Sequence, residues 1–198
     1  MSLTAIVLLV IAAVLVFWAV GAYNRLVRLR NEIGNAFAQI DVQLKRRHDL
    51  IPNLVEVARK YMEHERDTLE RVTAARAQVM AATDLVKAKP LDNGPIKSLG
   101  LAEGVLAGAM GRFQATVEAY PELKSNEHFM QLQQRISSLE NGIADRRELY
   151  NEAVNLNNVR IEQFPDAFIA RAFGFDEKPL LEFSQAEKAD VDLKQLFG

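Results

Sequence analysis

The chain has 198 residues, with 24 Lys plus Arg against 26 Asp plus Glu, for a formal net charge of -2 at pH 7. That balance excludes a globally basic, nucleic-acid-coating protein, and the length suits one globular domain rather than two. There is no cysteine, so disulfides, thiolate zinc sites, iron–sulfur clusters and cysteine nucleophiles are excluded.

Residues Leu3 to Ala22 form an apolar run broken only by Thr4, and the first charged side chain is Arg25. A helix of that length spans about 30 Å, the thickness of a bilayer's hydrocarbon core. Phe17, Trp18 and Tyr23 mark its downstream end and Arg25, Arg28 and Arg30 follow, the order of a span leaving the membrane. A cleaved signal peptide would need a basic segment before a shorter apolar core. Ala19 and Gly21 match its cleavage pattern only weakly. The reading is therefore a retained anchor over residues 1–24, in contact with lipid through residues 3–22. Positive charge lies only downstream, which predicts the N-terminus outside and the following domain in the cytoplasm.

From Arg25 to about Lys89 the apolar residues recur at helical spacing, among them Ile33, Phe37, Ile40, Leu44, Leu54, Tyr61, Leu69 and Val72. Pro52 is the one interruption. It predicts either a helix near 24–49 followed by a corner, with Pro52 in the first turn of a second helix, or one continuous, bent rod. Lys89 to Pro95 reads as a loop. A third helix is expected from Ile96 to Tyr120, ended by Pro121, and a short corner over Glu122 to Ser125.

The next segment carries Phe129, Leu132, Ile136, Leu139, Ile143, Tyr150, Asn157 and Phe164 in heptad-like spacing, with Arg146, Ala153 and Arg160 in the gaps. Ser125 or Asn126 is a suitable N-cap. Asp166 is placed to cap a short helix ending at Phe173–Gly174. These elements predict an all-α protein: a transmembrane helix, then an antiparallel four-helix-type bundle of long helices over residues 25–175. Residues 176–198 hold six acids and three lysines and read as an acidic C-terminal tail, either flexible or docked on the bundle.

Chemical motifs are scarce. The residues three before His48, His64 and His128 are Lys45, Tyr61 and Ser125, so the Glu-x-x-His pairs of a di-metal bundle are missing, as are His-Glu-x-x-His and Gly-x-Ser-x-Gly. No catalytic residue, metal ligand or cofactor site is expected. Two polar clusters stand out. Lys45, Arg46, Arg47, His48 and Asp49 form a candidate interaction patch, or simply a solvated helix face. Arg146, Arg147, Tyr150 and Asn157 form a candidate buried polar cluster, in which Arg146 could pair with a carboxylate near Glu63–Glu65 and Asn157 could set register. Phe168, Ile169, Ala172 and Phe173 give a short helix an apolar face, suited to capping the core or to a surface anchor.

Particular runs of residues resemble a known family. Tyr23 to Asn31 follows the anchor, and Ala38 to Val55 (AQIDVQLKRRHDLIPNLV) comes next, with His64-Glu65 after it. Then come Tyr120 to Lys124, Phe129 to Gln133, Glu140, Ile143, Arg146, Arg147, Tyr150-Asn151, Phe164-Pro165 and Phe173 to Phe175. Together these resemble the LemA family of bacterial membrane proteins over about residues 20–175. The resemblance implies an N-terminal single span in the bacterial inner membrane, a cytoplasmic helical bundle and no established enzymatic activity, the family's biochemical role being unresolved, and it supplies no catalytic or ligand residues. Glu177 to Phe183 departs from the family in lacking an aromatic soon after the proline. The functional expectation is a non-enzymatic, membrane-anchored interaction or scaffold protein that self-associates or binds another membrane or cytoplasmic protein, with no nucleic-acid partner. The alternative is a module that binds anionic lipid or senses envelope stress through Arg25 to Arg47.

Overall fold

The computed structural model describes residues 2–90 and 92–183. Its first helix, α1 (Leu3–Arg59), is 57 residues long and carries both the anchor and a side of the domain. Ser2 caps it, its hydroxyl accepting from the Ala5 N–H at 3.3 Å. No residue of the most apolar stretch is buried, and Ala22 is the first that is.

Pro52 does not end this helix. A proline at position 52 has no N–H for the carbonyl of residue 48. That carbonyl instead accepts from Arg76 Nε at 2.7 Å, so the group left over by the proline is satisfied from a neighbouring helix. Of the two readings of Pro52, the continuous rod is the one observed. The chain turns at Lys60–Glu65, where neither glycine nor proline stands. Met62 is fully buried at the turn. Tyr61 OH accepts from Asn126 Nδ2 at 3.1 Å, and the Tyr120 hydroxyl donates to Glu65 at 3.4 Å. The second helix, α2 (Arg66–Ala88), thus begins well after Pro52.

Next comes α3 (Asn93–Val117), which starts three residues before the expected Ile96 because Pro95 fits its first turn. The corner α4 (Pro121–Lys124) leads into α5 (Glu127–Glu162), capped by Asn126 Oδ1 on the Phe129 N–H at 2.9 Å. Last is α6 (Asp166–Phe173), closed by Gly174 in the left-handed region at φ 67°. No other described residue has positive φ, and the left-handed conformation suits a residue without a Cβ.

The layout follows from paired residues. Antiparallel to α1, α5 sets Tyr150 against Phe37 with ring centroids 6.3 Å apart. Antiparallel to α1 on another side, α2 sets Lys87 2.9 Å from Asp41. Turning back beside α2, α3 brings Glu103 to Arg47. One core runs through all four long helices, including Ile40, Leu44, Leu54, Val79, Leu106, Phe113, Phe129 and Ile143. A smaller cluster of Leu26, Ile161 and Ala170 joins α1, α5 and α6 beside the anchor. The α2/α3 hairpin stops near Asp41, about 28 Å along α1 from Ala22.

The chain after α6 lies along this lower stretch. Phe175 packs on Tyr23 at 5.8 Å, beneath the Arg30 guanidinium at 5.5 Å. The Asn158 amide donates to the Lys178 carbonyl at 2.8 Å and accepts its N–H at 2.9 Å. Asn151 does the same with Leu181, at 3.3 and 2.8 Å. Seven helical residues rise about 10.5 Å and three extended ones about 10 Å, so two side-chain amides two turns apart read every third residue of an extended chain. Leu181 is fully buried. Over residues 178–183, of the two readings of the tail, the docked segment is the one observed. Residues 184–198, also expected in that tail, lie outside the described residues.

Candidate interaction cleft

Side chains bring α3 and α5 together at their far end, where the rings of Phe113 and Phe129 lie 6.2 Å apart and Gln133 donates to Gln114 at 2.7 Å. Below that bridge a cleft of about 790 Å³ opens between the helices, with α1 as its floor. Arg47 and Glu103 meet on that floor in a buried, two-pronged pair, at 2.6 and 2.8 Å. Met110, Gly111, Met130, Gln134 and Glu140 lie along its walls. Phe183 closes the lower end, with the Arg147 guanidinium 4.7 Å above its ring. Glu182 crosses α3 at Gly100, where a Cβ would overlap the Glu182 carbonyl oxygen.

Glu140 opens into this cleft. Desolvation raises its carboxyl above the usual range, Arg47 pulls it back and Glu103 pushes it up again. Because Arg47 is already matched to Glu103, Glu140 has no ion-pair partner of its own among the described residues.

The candidate patch separates. Lys45, Arg46 and Asp49 are exposed, whereas Arg47 and His48 are buried. Arg47 turns to α3. His48 turns towards α2, and neither ring nitrogen has a partner among the described residues. Burial lowers the His48 pKa to about 4, with Arg47 and Arg76 adding to the shift and Asp49 and Asp41 opposing it. Helical phase explains the split, since positions 44, 47, 48 and 51 share one face.

In the second cluster, Tyr150 and Asn157 are buried and Arg146 and Arg147 half-buried. Arg146 does not reach Glu63–Glu65; it donates to the Gly142 carbonyl in its own helix at 2.9 Å. Burial raises the Tyr150 phenol to about 12, and its hydroxyl donates to the Pro179 carbonyl at 3.3 Å. Asn157 donates to Asn158 at 3.2 Å. Arg160 and Arg25 converge on a buried Asp166, which pins α6 rather than capping it. Phe164, expected on the seam, is 82% exposed. Sequence reasoning missed Glu103 and Arg76. Glu103 sits on the apolar stripe of α3 between Leu99 and Leu106, which is the signal for a buried partner. Arg76 carries none. Among the described residues, no group of three or more His, Asp or Glu side chains is placed to hold a metal ion.

Among the described residues, one helix long and apolar enough to cross a membrane runs unbroken into an all-α bundle, the layout of a membrane-associated helical protein. The chain belongs to the LemA family, which it matches over residues 36–194. It is similar to Protein LemA of Metamycoplasma hominis, 27% identical over 91% of this chain and 78% of that protein. It is also similar to Magnetosome protein MamQ 2 of Paramagnetospirillum magneticum, 26% identical over 88% of this chain and 70% of the relative. Magnetosome protein MamQ of Magnetospirillum gryphiswaldense is 24% identical over the same shares.

Proposed function

We propose that this LemA-family protein is a non-enzymatic, membrane-anchored interaction protein with its domain on the cytoplasmic face, and that its α3–α5 cleft receives a segment of another protein. The carrying observation is the cleft itself. Two methionines give it adaptable apolar walls, and Glu140 offers a carboxylate to an incoming cation. The occupant that fits is an apolar segment bearing one Lys or Arg. The non-enzymatic reading is supported by the lining: among the described residues it holds no histidine, lysine or tyrosine, and Glu103 is committed to Arg47. The cytoplasmic assignment is supported by Arg25, Arg28 and Arg30 directly after the span.

The exposed pair Lys45 and Arg46 lies about 36 Å beyond Ala22 along α1. Contact with lipid headgroups there would need the domain to lie flat, so the distance favours protein over anionic lipid as the partner of that patch. The test is a photo-reactive residue at Gln134 in intact membranes, beside a control at the exposed Leu101. The expected result is one protein adduct from position 134, none from 101, and its loss in Glu140→Lys. Adducts to lipid alone, or a yield indifferent to Glu140→Lys, would reject the reading.

A further inference from the structure

A soluble helix keeps its rings inside, yet the region around α6 does the opposite. Phe164, Phe168 and Phe173 are 82%, 63% and 61% exposed. Phe164 and Phe168 pack edge to face at 5.9 Å, so these two rings form one aromatic surface. The inner side of α6 is already satisfied, with Ala170 on Leu26 and Ile161, and Ile169 beside them. The outer rings therefore have no role in the domain's own core. An exposed aromatic patch of this kind needs an apolar or interfacial environment.

The position along α1 identifies that environment. Tyr23, one residue past the apolar run, packs its ring on Phe173 at 4.9 Å and on Phe175 at 5.8 Å. Arg25 reaches Asp166 at 3.5 Å. From Ala22 to Leu26 the helix rises about 6 Å. A bilayer's headgroup region adds roughly 5–7 Å on each side of the hydrocarbon core. Thus α6 falls within the headgroup layer of the membrane that α1 crosses. Its charges agree: the single acid, Asp166, is buried and paired with Arg160 and Arg25, and Arg171 is exposed. No exposed carboxylate on α6 would repel anionic headgroups. The pairs of Asp166 with Arg25 and Arg160 also tie α6 to α1 and α5.

We propose that α6 is an interfacial helix, with Phe164, Phe168 and Phe173 seated in the headgroup layer as a second membrane contact beside the span. This contact fixes the tilt and rotation of the bundle on the membrane, which a lone helix would leave free. It depends on the anchor and not on what the cleft binds.

The test uses tryptophan fluorescence of the full chain in lipid nanodiscs. The chain has a single tryptophan, so Trp18→Phe with Phe168→Trp leaves one reporter at the proposed contact. Trp18→Phe with Leu101→Trp places a control on α3, where Leu101 is 76% exposed. The expected result is loss of most of the emission from position 168 when the lipids are brominated near the glycerol end of their chains, with little response to aqueous acrylamide. Position 101 should behave oppositely. Quenching of position 168 by acrylamide as strong as at 101 would place the helix in water and overturn the proposal. Protection from both quenchers would place another protein surface over the rings and overturn it equally.

Discussion

Arg76 on α2 donates to the carbonyl oxygen of His48 on α1, the carbonyl that Pro52 leaves without its helical donor. A proline that should stop a helix is thus accommodated by a side chain from the next one, and the helix carries the domain out from the membrane as one element. Removing the guanidinium leaves a buried carbonyl unsatisfied, at a cost of about 1–3 kcal/mol. Arg76→Met should therefore lower the unfolding midpoint. In a Pro52→Ala background the alanine N–H can take over the His48 carbonyl, and Arg76→Met should then cost clearly less. Equal costs in both backgrounds, measured by chemical denaturation, would disconnect the two residues.

His48 gives the domain an acid sensitivity. Its folded pKa of about 4 lies below the ordinary 6.5, so the unfolded chain binds the extra proton first. Stability is unaffected above pH 6.5 and falls as pH drops from there towards 4. Integrated over that window the loss is about 3 kcal/mol. His48→Gln should flatten this part of the stability profile. A profile of unchanged slope would show that other groups dominate it.

The Arg47–Glu103 pair lies under the cleft with both side chains almost fully buried. Glu103→Ala should cost about 3–5 kcal/mol, because it strands a buried guanidinium. Arg47→Met with Glu103→Leu should recover much of that stability. Thermal melts of the two variants check this, and a double variant no better than the single one would mean the pair contributes more than mutual neutralisation.

The segment after α6 is held by Asn151 and Asn158 through their side-chain amides. Replacing both with alanine should release it, and the Lys178 and Leu181 amides should then exchange with solvent much faster, while core amides of α5 keep their protection. Gly100→Ala should act the same way from the opposite side, by overlapping the Glu182 carbonyl. Unchanged exchange in both variants would mean the burial of Leu181 alone holds the segment.

Much of this architecture is legible in residue order. The apolar run ending in Phe17, Trp18 and Tyr23 marks the anchor, and the spacing of Phe129, Leu132, Ile136 and Ile143 marks a long helix. The last short helix is bounded as expected, because Pro165 and Gly174 are strong local signals. What escaped depends on tertiary partners. Pro52 is a breaker in isolation and is tolerated only because Arg76 arrives from another helix. The turn at Lys60–Glu65 has no local signal, since burial of Met62 and the bonds of Tyr61 and Glu65 to distant residues select it. The row Lys45 to Asp49 reads as one charged patch along the chain, but helical phase sends Arg47 and His48 inward. Spacing places Arg146 on the seam, yet whether it pairs depends on reach, and its own helix supplies the nearer acceptor.

Filling the cleft should block its occupant. A Cβ at Gly111 on the cleft wall or at Gly34 on α1 meets no atom within 4 Å, and leucine at either position favours the helix equally. The measurement is the yield of the protein adduct from a photo-reactive residue at Gln134 in intact membranes, with a melt to verify folding. Gly111→Leu should abolish the adduct while Gly34→Leu leaves it unchanged. An adduct that survives Gly111→Leu in a folded protein would contradict the cleft as the docking site.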